Sequence, residues 1–176
     1  MRMADPSVVG SDSIAATAAH YRTAYGVEGQ VRTDEVLRAN GHDVAIKPLR
    51  AEQGGLEACV VPLPDGTYRF VCDDRAAPGE PNDVACVGDP RQFRISFRLA
   101  HELAHTALGC MSFGTRRGSH SSSAVEARCD AFAVFFLVER DEAQSVVKKG
   151  EGAVQSLARQ LNIPPRVIRA AASTTR

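Results

Sequence analysis

Two histidines and a glutamate near the middle of the chain form an HExxH motif, His101-Glu102-Leu103-Ala104-His105. On a helix, residues four apart lie one turn apart on the same face, so both imidazoles can reach one ion. Glu102 lies about 100° around the helix from His101, where its carboxylate can face the attacking water without binding the ion. This arrangement predicts a metal-dependent hydrolase with His101 and His105 as ligands and Glu102 as the catalytic base.

A core helix that happens to carry two histidines is the alternative interpretation of the motif. By chance, the pattern would arise in roughly one comparable chain in a hundred. Two buried imidazoles beside a carboxylate are also costly in a largely apolar helix unless they bind a metal. The metal-binding interpretation is therefore favoured.

A catalytic zinc ion takes three protein ligands and a water, so the motif leaves one ligand to find. A continuation HExxHxxGxxH would need glycine and histidine at the positions of Leu108 and Met111, which excludes a third histidine from that source. Glu126 and Asp130 form an ExxxD pair that begins 21 residues after His105. In such a pair the glutamate can bind zinc, and the aspartate can accept a hydrogen bond from a ligand imidazole.

Two competing interpretations of this region stay open. Ser123 and Glu126 also match a capping box at the start of a helix. His120 is the rival third ligand, but its Gly/Ser-rich loop is poorly suited to rigid coordination. We predict Glu126 as the third zinc ligand, Asp130 as the partner of a ligand imidazole, and His120 as a contact to the substrate or the oxyanion.

The elements that position these residues follow from turn signals and hydrophobic spacing. Asp89, followed by proline, starts the HExxH helix, which is predicted over about 90–108, and the ExxxD helix is predicted over about 123–138. The other predicted elements are helices at 14–25 and 33–39, strands at 44–46, 58–61 and 68–72, a loop at 73–89 and a C-terminal helical pair at about 151–172.

Together these elements predict an α+β fold. The expected architecture is a zincin-like single domain over 13–172, mainly helical, with a small antiparallel or mixed β-sheet beside the HExxH helix. A flexible N-terminus is expected at 1–12.

Composition indicates an ordinary globular protein without a preferred charged partner. Hydrophobic residues make up 44% of the 176 residues, and 21 basic residues balance 21 acidic ones. This balance gives no strong case for nucleic-acid or membrane binding. No signal-peptide core and no run of about 18 apolar residues is present, so we expect a cytoplasmic protein.

The five cysteines are an odd set without a CxxC pair, unlike a disulfide framework or a thiolate zinc site. We expect free, mostly buried thiols, and a redox role stays open. The cysteines are Cys59, Cys72, Cys86, Cys110 and Cys129.

Three stretches resemble the ImmA/IrrE-type metallopeptidases, which are gluzincin-like proteins of bacteria, phages and mobile elements. Residues 91–105 (RQFRISFRLAHELAH) are similar to the R-x-RFTLAHELGH stretch of that family, and residues 126–133 (EARCDAFA) to its ExxANxFA stretch. Residues 157–169 (LARQLNIPPRVIR) are similar to its closing LAxxFxVS segment. The first two stretches are the specific ones.

The resemblance implies a zinc-dependent endopeptidase with one Zn²⁺ per chain and a protein substrate. Members of the family cleave Xre-type helix-turn-helix repressors or related regulators, and so relieve repression of phage, mobile-element or stress-response genes. The chain departs from the family pattern at Ala104, Asp130 and Glu139, where glycine, asparagine and proline are usual. The aspartate follows the wider glutamate-zincin pattern and leaves catalysis plausible.

A second hypothesis is a non-catalytic, metal-stabilised regulatory module that binds a partner or DNA through its C-terminal helices. Arg159, Arg166 and Arg169 make that end basic, although such charge is more often a solvated face. Glu102 separates the two hypotheses, because a structural metal site needs no base beside its histidines.

Overall fold

A computed structural model describes residues 11–29, 31–49, 57–75, 89–110 and 123–173. Within these ranges the chain forms seven helices and a three-stranded sheet, which confirms the predicted mainly helical α+β fold. In chain order the elements are α1 (Ser11–Ala24), α2 (Thr33–Ala39), β1 (Asp43–Ile46), β2 (Ala58–Pro62), β3 (Tyr68–Cys72), α3 (Pro90–Ala107), α4 (Ser123–Leu137), α5 (Arg140–Lys149), α6 (Glu151–Leu161) and α7 (Pro165–Ser173). None of the helices in these ranges is long and apolar enough to cross a lipid bilayer.

The sheet is mixed, with strand order β1-β3-β2. The central strand β3 pairs in parallel with β1, where Val44 lies opposite Phe70, and antiparallel with β2, where Val60 lies opposite Phe70. A tight turn joins β2 to β3, because Gly66 adopts a φ of 84° and Asp65 accepts a hydrogen bond from the Thr67 amide. The sequence Pro64-Asp65-Gly66 is a typical turn signal, and the structure places the turn there.

Helix α3 carries the HExxH motif and has clear ends. The Asp89 carboxylate accepts a hydrogen bond from the Arg91 amide at 2.9 Å, and proline follows directly as the first helical residue. Gly109, with a φ of 64°, ends the helix, and the Cys110 amide then donates to the His105 carbonyl at 3.0 Å. The predicted boundaries of this helix are confirmed within one residue.

Helix α4 is the central helix of the described fold. Residues 131–138 are all buried, because α1, α3 and α7 pack around it. Phe132 stacks on Phe136 with centroids 6.0 Å apart, and the Tyr21 ring meets Phe132 edge-on. This packing fixes the start of α4, which carries Glu126 and Asp130, against the middle of α3.

Replacing Phe132 with alanine is expected to lower the free energy of unfolding by about 3–5 kcal/mol, because a fully buried ring is lost and a cavity remains. Denaturant unfolding measures this loss. The control is Val61→Ala on the sheet, where the side chain is 46% exposed. That change should alter the free energy of unfolding by no more than about 0.5 kcal/mol. Similar losses for both variants would contradict the central position of α4.

Helix α5 was not predicted from the sequence. Its signals are present, since Asp141 and Glu142 lie in the first turn, Lys148 and Lys149 in the last, and Gly150 follows with a φ of 99°. Its charged residues and its single fully buried position, Ala143, give a weak apolar stripe. The sequence signals of this helix are therefore the charged residues and the glycine at its ends, and not a hydrophobic spacing.

The predicted C-terminal helical pair is confirmed as α6 and α7. Asn162 adopts a left-handed conformation with a φ of 54° and ends α6, and Pro165 begins α7. The buried residues of α7, including Ile168 and Ala171, belong to the same core as α4. Its Arg169 forms an ion pair with Glu151 at 2.9 Å, so part of the basic charge at this end is neutralised.

Candidate metal centre

The two histidines of the HExxH motif project from α3 toward the first turns of α4. His101 is almost fully buried and His105 is partly buried, and their ring centroids lie 5.2 Å apart. Their spacing of one helical turn and their common direction are the geometry that the motif predicts.

Glu126 approaches both imidazoles from α4. Its Oε2 lies 3.0 Å from Nε2 of His101, and its Oε1 lies 3.8 Å from Nε2 of His105. Nitrogen and oxygen ligands of a tetrahedral zinc, with bonds of about 2.0–2.1 Å, lie about 3.3 Å apart, between the two observed distances. Each oxygen of the Glu126 carboxylate therefore lies near one imidazole nitrogen, and the ligand role of Glu126 stays a prediction.

Asp130 lies on the other side of the His101 ring. Nδ1–H of His101 donates to Oδ1 of Asp130 at 2.8 Å. This bond places the proton on Nδ1 and leaves Nε2 facing Glu126. Asp130 is one turn beyond Glu126 on α4, so the ExxxD spacing places both carboxylates around one imidazole. This contact is the one expected from the sequence.

The surroundings of His101 hold a proton on its ring before a metal binds. Burial disfavours the charged ring, but hydrogen bonds with Asp130 and Glu126 outweigh burial and raise the pKa of His101 to about 9. A metal ion must displace that proton before Nε2 can coordinate it. Metal affinity is therefore expected to fall as pH falls, because protons compete more strongly for the ring.

Removing the Asp130 carboxylate is expected to weaken metal binding by about 10- to 100-fold, since Asp130 orients His101 and increases its basicity. The variant is Asp130→Ala, and competition with a chromophoric chelator measures its affinity. Asp130→Asn keeps a carbonyl oxygen that can accept the same hydrogen bond, so its loss should be smaller. Asp141→Ala, at an exposed position on α5, is the control. Equal affinities for Asp130→Ala and this control would contradict the role.

Glu102 lines a cavity of about 260 Å³ together with His101. Ala58 of β2 and Pro164 in the turn between α6 and α7 also line the cavity. Arg98, one turn before Glu102, donates to the Asp73 carbonyl at 2.9 Å and thereby ties α3 to the end of the sheet. The cavity leaves open space beside the Glu102 side chain.

Two cysteines complete the surroundings of His105, and sequence reasoning did not assign them to the site. His101, His105 and Cys129 form a buried group whose ligand atoms lie within 4.8 Å of one another and which can hold a metal ion. Sγ of Cys129 lies 3.6 Å from Nδ1 of His105, and Sγ of Cys110 lies 3.7 Å from the same nitrogen. The available signal was the position of Cys129 one turn after Glu126, on the same face of α4.

The described cysteines are free, as predicted, but only Cys72 and Cys129 are buried, whereas Cys59 and Cys110 are partly exposed. A hydrogen bond from Cys129 and contact with His105 lower the pKa of Cys110 to about 5 despite partial burial. The same pairing, together with burial, raises the pKa of Cys129. The fifth cysteine, Cys86, lies outside the described residues.

His120 also lies outside the described residues, so its predicted contact to the substrate or oxyanion stays a prediction. Residues 76–88 of the predicted 73–89 loop likewise lie outside the described residues.

At the start of that loop, the Arg75 guanidinium binds the Asp73 carboxylate at 2.7 Å, which lowers the pKa of Asp73.

The geometry defines a class of protein, namely one with a buried histidine and cysteine group that can bind a metal. No family model matches the chain, and no curated protein sequence matches it. The resemblance to ImmA/IrrE-type metallopeptidases therefore depends on the motifs quoted above.

Proposed function

We propose that the protein is a zinc-dependent endopeptidase of the ImmA/IrrE type. In this proposal His101, His105 and Glu126 hold the ion and Glu102 is the catalytic base. The main supporting observation is that the Glu126 carboxylate on α4 approaches Nε2 of His101 at 3.0 Å and Nε2 of His105 at 3.8 Å. Glu102, between the two histidines on α3, lines a cavity. A core helix with two incidental histidines gives no reason for this convergence.

Zinc in such a site acts as a Lewis acid toward the scissile carbonyl and makes an attacking water more acidic. Glu102 takes the proton of that water and passes it to the leaving amine, so peptide hydrolysis proceeds without a covalent intermediate. Asp130 holds His101 with Nδ1 protonated, which keeps Nε2 available as a ligand. In this proposal the cavity beside Glu102, which has a volume of about 260 Å³, holds a substrate side chain next to the scissile bond.

The substrate class rests on the family resemblance. We propose that the substrate is an Xre-type helix-turn-helix repressor and that its cleavage relieves repression. A repressor encoded beside the gene for this protein is the first substrate to test, because the peptidase and that repressor would be expressed together.

Purified protein is expected to contain about one zinc per chain, because three protein ligands on two helices suit a tetrahedral ion with one open position. Elemental analysis after dialysis measures the content, and removal by a chelator followed by addition of zinc should restore both the metal and repressor cleavage. Protein that contains no transition metal, and takes up none, would refute the proposed function.

A non-catalytic module stabilised by metal is the second candidate, and the observation that favours it is Cys129. Structural zinc sites are closed sets of cysteine and histidine ligands, and Cys129 gives this site such a thiol. In that case the protein catalyses no hydrolysis and Glu102 is not a catalytic base, and a repressor would be bound without being cleaved.

A further inference from the structure

Two cysteine sulfurs and Nδ1 of His105, the ring nitrogen that does not face Glu126, form a nearly equilateral triangle. Sγ of Cys110 and Sγ of Cys129 lie 3.7 Å apart, and Nδ1 of His105 lies 3.7 and 3.6 Å from these sulfurs. Two sulfurs and one imidazole nitrogen are the donors that soft and borderline metal ions prefer. The triangle joins the end of α3 to the second turn of α4.

The size of the triangle matches a tetrahedral ion. With bonds of about 2.3 Å to sulfur and about 2.0–2.1 Å to nitrogen, tetrahedral angles place two sulfurs about 3.8 Å apart. The same bonds place sulfur and nitrogen about 3.5–3.6 Å apart. The observed edges differ from these values by only a few tenths of an ångström, so an ion can be bound with little movement of either helix.

We propose that Cys110, Cys129 and Nδ1 of His105 form a second metal site, which takes a soft or borderline ion such as Zn²⁺, Cd²⁺ or Cu⁺. It differs from the proposed catalytic centre in its two sulfur donors and in its use of Nδ1 of His105 instead of Nε2. The inference does not require that the protein be a peptidase.

A disulfide between the same cysteines fits the geometry less well. Its sulfurs must be about 2.05 Å apart, much closer than the present 3.7 Å between the two Sγ atoms. A disulfide would therefore require the two thiol side chains to leave their present positions. A bound ion leaves the sulfurs near their present distance.

Sharing one imidazole couples the two sites. A neutral imidazole carries one proton and one lone pair, so it can coordinate an ion through Nδ1 or through Nε2 but not through both. An ion at the thiol site therefore leaves the proton on Nε2 and removes His105 from the proposed catalytic centre. Soft metal ions in excess should for this reason act as inhibitors of the proposed peptidase.

The test uses the full-length reduced protein, loaded with Co²⁺ without oxygen, because thiolate ligands give cobalt a charge-transfer band in the near ultraviolet that nitrogen and oxygen ligands lack. We expect this band in the wild type and, more strongly, in Glu126→Gln, where the competing centre is weakened. Each of Cys110→Ser and Cys129→Ser should keep about half the intensity, since one of two sulfur ligands remains. The double variant should lose the band.

Cys59→Ser is the matched control, because Cys59 is a free, partly exposed cysteine on β2 outside the triangle, and it should keep the full band. Circular dichroism checks that every variant is folded. Should Cys129→Ser not fold, X-ray absorption on cobalt-loaded Glu126→Gln still counts sulfur ligands, and two bonds of about 2.3 Å are expected.

Two results would overturn the proposal. The first is cobalt bound to reduced Glu126→Gln without any thiolate band. The second is a band that keeps its full intensity in Cys110→Ser and disappears in His101→Ala, because the ion would then lie among His101, His105 and Cys129. Neither result bears on whether the wild type cleaves a repressor, so the proposed function and this site can fail separately.

Discussion

Glu102→Gln is expected to lower peptide hydrolysis by at least about a hundredfold while the protein keeps its metal and its fold. Glutamine preserves the size of the side chain and its hydrogen-bonding reach, but it cannot take a proton from the attacking water. Because Glu102 lines the cavity beside His101 and is not among the predicted ligands, metal content should not change.

The assay is co-expression with an Xre-type repressor, with repressor length read on a gel, followed by cleavage of purified repressor to obtain rates. Glu142→Gln, at an exposed position on α5, is the control for loss of a carboxylate elsewhere. If wild type and Glu102→Gln both bind the repressor and both leave it whole, the peptidase proposal is wrong and the binding module takes its place. Full cleavage by Glu102→Gln would show that Glu102 is not the catalytic base, and it would leave the peptidase proposal intact.

Glu126→Ala is expected to release the metal, with a loss of affinity larger than the about 10- to 100-fold typical of residues that only orient a ligand. The carboxylate faces both Nε2 atoms, and without it the proposed catalytic centre keeps only its two imidazole ligands. Elemental analysis after dialysis and competition with a chelator measure the loss, both in a Cys110→Ser background that weakens the proposed thiol site, and repressor cleavage should disappear with the metal.

Glu126→Gln separates the ligand role from the capping role that the sequence left open. Glutamine serves in a capping box as well as glutamate does, but it lacks the negative charge that makes a good zinc ligand. Metal loss in both Glu126 variants in the Cys110→Ser background, with melting temperatures of the metal-free variants close to that of the metal-free parent, would support the ligand role. Unfolding of Glu126→Ala without metal loss in Glu126→Gln would instead support the cap, and metal loss in His120→Ala alone would assign the third ligand to His120.

Much of the helical part of the fold could be predicted because its signals are local. The Asp89 cap, the following proline and Gly109 define α3 in the sequence, and the same features end the helix in the structure. The ExxxD spacing likewise predicted that Asp130 contacts a ligand imidazole, since residues four apart share a helix face.

The features that the sequence left open or missed depend on packing between distant parts of the chain. The sequence allowed an antiparallel or a mixed sheet, because strand composition does not specify whether β1 pairs in parallel with β3. Contact of Cys129 with His105 spans 24 residues and exists only because α4 packs on α3. A search for CxxC could not find it, because the two sulfurs near His105 come from two different parts of the chain.

The candidate zinc ligands belong to two helices, and this division links metal supply to folding. His101 and His105 are on α3 and Glu126 is on α4, so an unfolded chain keeps the histidines near each other but separates them from the carboxylate. An ion that binds only the folded state stabilises it by about 2.7 kcal/mol when its free concentration is about a hundredfold above the dissociation constant. Scarcity of the ion would then reduce the amount of folded protein in the cell, through proteolysis of the opened chain, as well as the activity of each molecule.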